Sequence, residues 1–156
     1  MEGATSVVAF DSDWASGRWR NILVLVWRGQ TNFARAKRAI ALAKDMAAEH
    51  AAAGMGIIIV VESKALVPDA DARPVFVAGM RECGPSIRGA AYVVTASGFG
   101  GAAIRAAISG LSLVAREPYP TRVFATPNDA AKWLSTTLRD VTPEQIVTAV
   151  ERVRAA

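Results

Sequence analysis

One cysteine and one histidine stand among 156 residues, and that scarcity narrows the chemistry at once. Cys83 alone excludes an internal disulfide and a multi-cysteine zinc site, and it suits a reducing cytoplasm. His50 follows Glu49 and precedes three alanines at the end of a helical stretch, which reads as a surface imidazole helping a helix C-terminus. A His-based metal site has no second partner. Long apolar runs are also missing. The segment "GAAYVVTASGFGGAAIRAAISGLSLVA" is interrupted by Arg105 and by several Gly and Ser residues. A spanning helix needs about 20 consecutive apolar residues, so the segment reads as a buried strand followed by a core-facing helix. The start "MEGATSVVAF" lacks a basic stretch leading into an apolar run, and no signal peptide is expected. A dense basic stripe with interleaved aromatics is absent too. The net charge is +4, with small groupings at Arg18 and Arg20 and at Arg35, Lys37 and Arg38. This predicts a solvated basic face rather than a nucleic-acid surface.

What is present is material for one packed domain. Hydrophobic residues make up 52% of the chain and charged ones 21%, and the length is enough for a core without metal or disulfide support. Much of the apolar content is Ala, which predicts slim, closely packed helices. Strands are expected at 5–10, at 21–27, where "NILVLVW" is apolar on both faces, at 56–62, at 90–96 and at "TRVFAT". Between the first two, "DSDWASGRWRN" reads as a hairpin or short loop turning at Ser16-Gly17. Helical periodicity runs from Thr31 or Asn32 to about Ala53, and again from about Ala72 to Cys83 behind an Asp71 cap. A further helix carries Ile104, Ile108 and Leu111 at helical spacing. Thr126-Pro127 with Asp129, and Thr142-Pro143 with Gln145, read as capping boxes opening the last two helices. The order predicts an α/β fold with a single, mainly parallel sheet of four to five strands flanked by helices.

The stretch "TRVFATPNDAAKWLSTTL" resembles the C-terminal signature of STAS-like domains of the anti-sigma-factor antagonist type, small bacterial proteins also labelled STAS/SEC14. The matching residues are Val123, Phe124, Asp129, Ala130, Trp133 and Leu134. "LVLVWRGQT" with Gly29 and "GIIIVVE" are similar to the family's second and central strands. The resemblance implies a STAS-like domain over residues 1–138, with 139–156 as a C-terminal helical extension packed on or beside it. It also implies a regulatory module acting by protein interaction. The regulatory relatives carry Asp-Ser-Ser/Thr-Gly after the central strand, with a phosphorylatable Ser. Here Glu62-Ser63-Lys64-Ala65 stands instead, so Ser63 reads as a polar residue ending a strand and a phosphorylation switch is not supported.

Candidate surfaces follow. Trp14 and Trp19, flanked by Arg18 and Arg20, are expected either to form an exposed partner surface or to pack across their own hairpin. Ser63, Asp69 and Asp71 lie in the loop where the family resemblance puts partner contacts. Ser97, Gly98, Gly100 and Gly101 open a helix after a strand, where an anion, nucleotide or lipid ligand is the second reading. The pairs Asp11 with Asp13 and Asp69 with Asp71 are the material for a carboxylate enzyme, the third reading, if they converge on one cleft. The expectation is a cytoplasmic, non-enzymatic homo-oligomer or adaptor, with no cofactor, no metal and no membrane insertion.

Overall fold

In the computed structural model, which describes residues 3–156, one sheet holds β1 (Ser6–Phe10), β2 (Trp14–Trp19), β3 (Ile22–Trp27), β4 (Met55–Val61), β5 (Ile87–Val94) and β6 (Thr121–Phe124). They lie side by side in chain order. The pairs β1–β2 and β2–β3 are antiparallel, while β3–β4, β4–β5 and β5–β6 are parallel. The sheet is therefore six-stranded and mixed, not mainly parallel with four to five strands.

The added strand is β2, within which the Ser16-Gly17 pair imitates a turn signal. Alternation along it sends Trp14, Ser16 and Arg18 to one face and Ala15, Gly17 and Trp19 to the other. Gly17 marks a close approach, not a turn. A Cβ there would stand 2.5 Å from Val153 Cγ2 and 2.9 Å from the Ser6 carbonyl. The actual turn is Arg20-Asn21, since Trp19 pairs with Ile22.

Helices α1 (Phe33–Glu49), α2 (Arg73–Cys83) and α3 (Gly98–Ala115) cover one face of the sheet. On that face lie Leu23, Leu25, Trp27, Ile57, Ile59, Val61, Tyr92 and Val94. Helices α4 (Pro127–Ser135) and α5 (Pro143–Arg154) cover the other, over Ile22, Val24, Val26, Ile58, Val60 and Val93. Helix α5 belongs to this layer. Arg28 Nη2 donates to the Arg154 carbonyl at 2.8 Å, and Arg154 Nε meets Glu62 Oε1 at 2.9 Å, tying its end to the sheet.

The caps differ from expectation in two places. Asp71 does not cap α2, whose N-cap is Ala72 with no side-chain bond; the Asp69 carbonyl accepts from Ala72 and Arg73 instead. Thr142 and Gln145 form the full reciprocal box, whereas at Thr126 only the half in which its hydroxyl accepts from the Asp129 N–H, at 3.2 Å, is found. Helix α1 also stops at Glu49, short of Ala53, with His50 as its C-cap. Among the described residues, no helix is long and apolar enough to cross a membrane.

Candidate functional site

Of the two readings open for Trp14 and Trp19, the exposed surface fails, since both are interior, and Trp14 packs across its own hairpin against Trp27. Trp14 is 1% exposed and stacks on Trp27 with ring centroids 5.4 Å apart, and Trp27 meets Phe76 edge-on. Trp19 is buried on the opposite face, under α5. The reason is β2 itself: as a paired strand it hands its alternating side chains to the two cores. Arg18, between them, is ion-paired with Glu49 of α1. The Trp hairpin is therefore not a free aromatic patch.

The acidic pairs are occupied structurally. Arg35 lies between Asp11 and Asp13, with Nε 3.1 Å from Asp11 Oδ2 and Nη1 3.2 Å from Asp13 Oδ2. Burial works to raise the Asp11 pKa, but backbone N–H donors from Asp13 and Trp14 together with Arg35 outweigh it, holding the carboxyl below its ordinary value. Asp69 accepts from Gln30 Nε2 at 3.1 Å, and Asp71 stands apart on the exposed loop. Ser63 is exposed on the same loop, past the end of β4. Among the described residues, no group of three or more His, Cys, Asp or Glu side chains is arranged to hold a metal ion.

Ser97 to Gly100 are open to solvent, while Gly101 is buried. Gly98, at φ +67°, and Gly100 have no atom within 4 Å of where a Cβ would sit, so neither glycine marks a close approach. Gly101 does, because a Cβ there would meet the Ala96 carbonyl at 2.3 Å. What the turn introduces is α3, and α3 roofs the feature that stands out on this face.

Between the sheet and α1, α2 and α3 lies a cavity of about 100 Å³. Leu25, Ile57, Ile59 and Ala90 form its floor, Ala39, Ile40 and Ala43 one wall, Phe76 and Met80 another, and Ile104, Ala107, Ile108 and Leu111 its roof. The void has a local cause. Ala39, Ala43, Ala90 and Ala107 all line it, and four short side chains leave it unfilled. Expected tight packing of slim helices holds on the α4–α5 face, where Ala130 and Ala131 are fully buried, but not here. An outer apolar groove of about 660 Å³ runs between α2 and α3 past Pro74, Val77 and Val114. Val67, Pro68, Ala107 and Leu111 border both spaces, so these four stand where a molecule would pass inward.

The polar groups on the lining are few. Burial, reinforced by the nearby Glu117 charge, pushes the phenols of Tyr92 and Tyr119 far above the usual tyrosine range. Both are therefore neutral donors at any physiological pH. Glu117 also accepts from Thr121 Oγ1 at 2.5 Å. Cys83, in the core beside this space, has its thiol pKa raised by burial and by Glu82, which leaves it protonated and unreactive. None of these lining residues is signalled by the sequence as a site. The available hint is the Ala content of α1 and α3, which fixes helix thickness without revealing where small residues face each other.

The arrangement defines a class by its fold. The sheet and its five helices form the STAS-like, SpoIIAA-like fold of anti-sigma-factor antagonists, as comparison with solved structures shows. The chain is similar to an uncharacterised protein from the DUF3478 family, with a SpoIIAA-like fold, from Shewanella loihica PV-4. The TM-score is 0.53 at 12% identity, covering 86% of this chain and 98% of that one. No family model matches the sequence, and no curated protein matches it either.

Proposed function

We propose that this chain is a non-catalytic binding module that takes a small apolar molecule between its sheet and helices α1 to α3, with α3 as the roof. The observation that carries this reading is the apolar cavity with a bordering groove. An unfilled space costs stability at about 24 cal/mol per Å³, so 100 Å³ forgoes roughly 2 kcal/mol that a ligand would restore. An engineered apolar cavity of about 150 Å³ stays dry and accepts benzene, so a ring or a short alkyl chain is the right scale. The site moves from the Gly-rich turn to the space beneath the helix that turn begins, and the expected ligand is lipid-like rather than nucleotide.

The test is calorimetry and thermal shift with benzene, hexane and decanol on the wild type and on Ala107→Leu. The wild type is expected to bind and gain thermal stability. Ala107→Leu is expected to keep or raise its Tm while losing the response. A wild type that responds to none of the three overturns the reading.

A second reading, partner binding or self-association, rests on a separate observation: Phe99 is 99% exposed on α3, with Leu113 and Val114 also exposed. Light scattering of wild type against Phe99→Ser/Leu113→Ser checks it. A loss of assembly in the variant supports a protein surface on α3, and a monomeric wild type removes the homo-oligomer.

A further inference from the structure

At the end of β5 away from the Gly98 turn, three arginines line one solvent-open cavity of about 660 Å³. That volume falls within the roughly 300–1,000 Å³ typical of small-ligand pockets. Arg20 comes from the β2–β3 turn, Arg88 from the start of β5, and Arg139 from the connection between α4 and α5. None of the three belongs to an ion pair among the described residues, in contrast to Arg18, Arg35 and Arg154. Asp140 supplies the one carboxylate on the lining, so the arginines leave a net positive charge facing the space. His50 also borders it; burial and then the Arg18 charge hold its pKa below the ordinary value, so at neutral pH it adds no charge.

Two of the arginines are held in place rather than neutralised. Arg20 Nη1 donates to the Asp140 carbonyl at 2.7 Å, and Arg88 Nη1 donates to the Pro85 carbonyl at 3.0 Å. Each bond uses one of five N–H donors and leaves the charge intact. Arg88 is also seated against Gly54, where a Cβ would come within 2.6 Å of Arg88 Cγ and Nε. Backbone strain collects at the same rim. Arg20 at φ +52° and Asp140 at φ +59° are two of the three non-glycine residues in the left-handed region among the described residues, and they are joined by the bond just named. A turn that needs positive φ ordinarily takes Gly or Asn, and such outliers persist where the surroundings depend on them.

We propose that this pocket binds a phosphoryl-bearing anion, with Arg20, Arg88 and Arg139 as its charged contacts. Three planar forks arriving from three separate segments suit a tetrahedral, multiply charged group better than a single flat carboxylate. The site lies apart from the apolar cavity and does not depend on it.

Titration calorimetry on the full chain at about 50 mM salt, with pyrophosphate, ADP and succinate, tests this. Pyrophosphate is expected to bind with Kd near or below about 1 mM and to weaken at least about fivefold at 300 mM salt. ADP binding more tightly than pyrophosphate would point to a nucleotide as the source; equal affinity would point to a free or terminal phosphoryl group. Arg139→Gln is the decisive variant, because Arg139 makes no hydrogen bond or ion pair among the described residues. It should melt like the wild type and bind pyrophosphate at least about fivefold more weakly. Binding of succinate alone, no binding of pyrophosphate at 5 mM, or unchanged affinity in a well-folded Arg88→Gln/Arg139→Gln variant would each overturn the proposal.

Discussion

The two faces of the sheet are built to different standards. On one, α5 spends twelve residues and buries Ile146, Ala149, Val150 and Val153, while the shorter α4 buries Ala130, Ala131 and Leu134. On the other, α3 runs for eighteen residues, and its described buried side chains of any size are Ile104 and Ile108. Yet both faces rest on the same strands, in which Ile22, Val24 and Val26 alternate with Leu23, Leu25 and Trp27. The sheet supplies equal apolar surface to each side. The difference lies in the helices, and it shows that one layer is closed while the other keeps internal space and an apolar exterior. Packing of the first kind holds a fold together; packing of the second kind leaves somewhere for a molecule to go.

The sharpest way to break that contrast is a matched pair of truncations. Leu134 is fully buried and lies 3.2 Å from where a Gly56 Cβ would be, so its neighbours have little room to collapse. Leu134→Ala should cost about 3–5 kcal/mol in urea unfolding. Ile108 borders the void and so has fewer contacts to lose, and although Ile108→Ala enlarges the space, a loss at the low end of the usual range, about 2 kcal/mol, is expected. Equal losses in the two variants would mean that α3 is packed as tightly as α4, and the contrast would fail.

Most of the closed layer can be read in the sequence, because its signals are local. Thr126-Pro127 and Thr142-Pro143 announce α4 and α5, and both stripes follow at helical spacing. The fold resemblance likewise rests on the β6–α4 segment. Strand β2 is less legible, since Gly17 answers to Val153, a residue 136 positions away, and no neighbour in sequence says so. The candidate sites are hardly legible at all. A cavity exists because Ala39, Ala43, Ala90 and Ala107 happen to face one another from three elements, and the arginine pocket because three scattered segments meet. Composition registers the alanines and arginines but carries no information about convergence. Trp14 and Trp19 leave two readings open for the opposite reason: they are locally conspicuous, and only the packing of both faces shows them to be ordinary core residues.

The caps sharpen the comparison within the closed layer. Thr142 both receives the Gln145 N–H at 3.3 Å and has its own N–H taken up by Gln145 Oε1 at 3.0 Å. Thr126 performs the first half of that exchange with Asp129. Thr142→Ala should therefore destabilise by about 1–2 kcal/mol and Thr126→Ala by about 0.5–1 kcal/mol, both read by urea unfolding. If the order is reversed, the reciprocal bond to Gln145 is not contributing.

The smallest effect expected is a pH dependence where α1 ends. His50 has its pKa held below 6.5 by burial first and by the Arg18 charge second, with the Arg20 carbonyl working the other way. The unfolded chain therefore takes up a proton near pH 6.5 that the folded chain accepts only at lower pH. Stability from this group is fully present above pH 6.5, declines as pH falls below it, and is gone once the folded imidazole has also titrated. The Asp11 carboxyl, whose folded pKa is also depressed, acts lower, with stability present above about pH 4 and lost below. The two windows are separable, so His50→Gln should flatten the decline between pH 7 and 5 in a series of urea melts and leave the acid limb unchanged. A His50→Gln profile that parallels the wild type throughout would assign the decline to other groups, and with it remove the burial of His50 and the Arg18 charge as its causes.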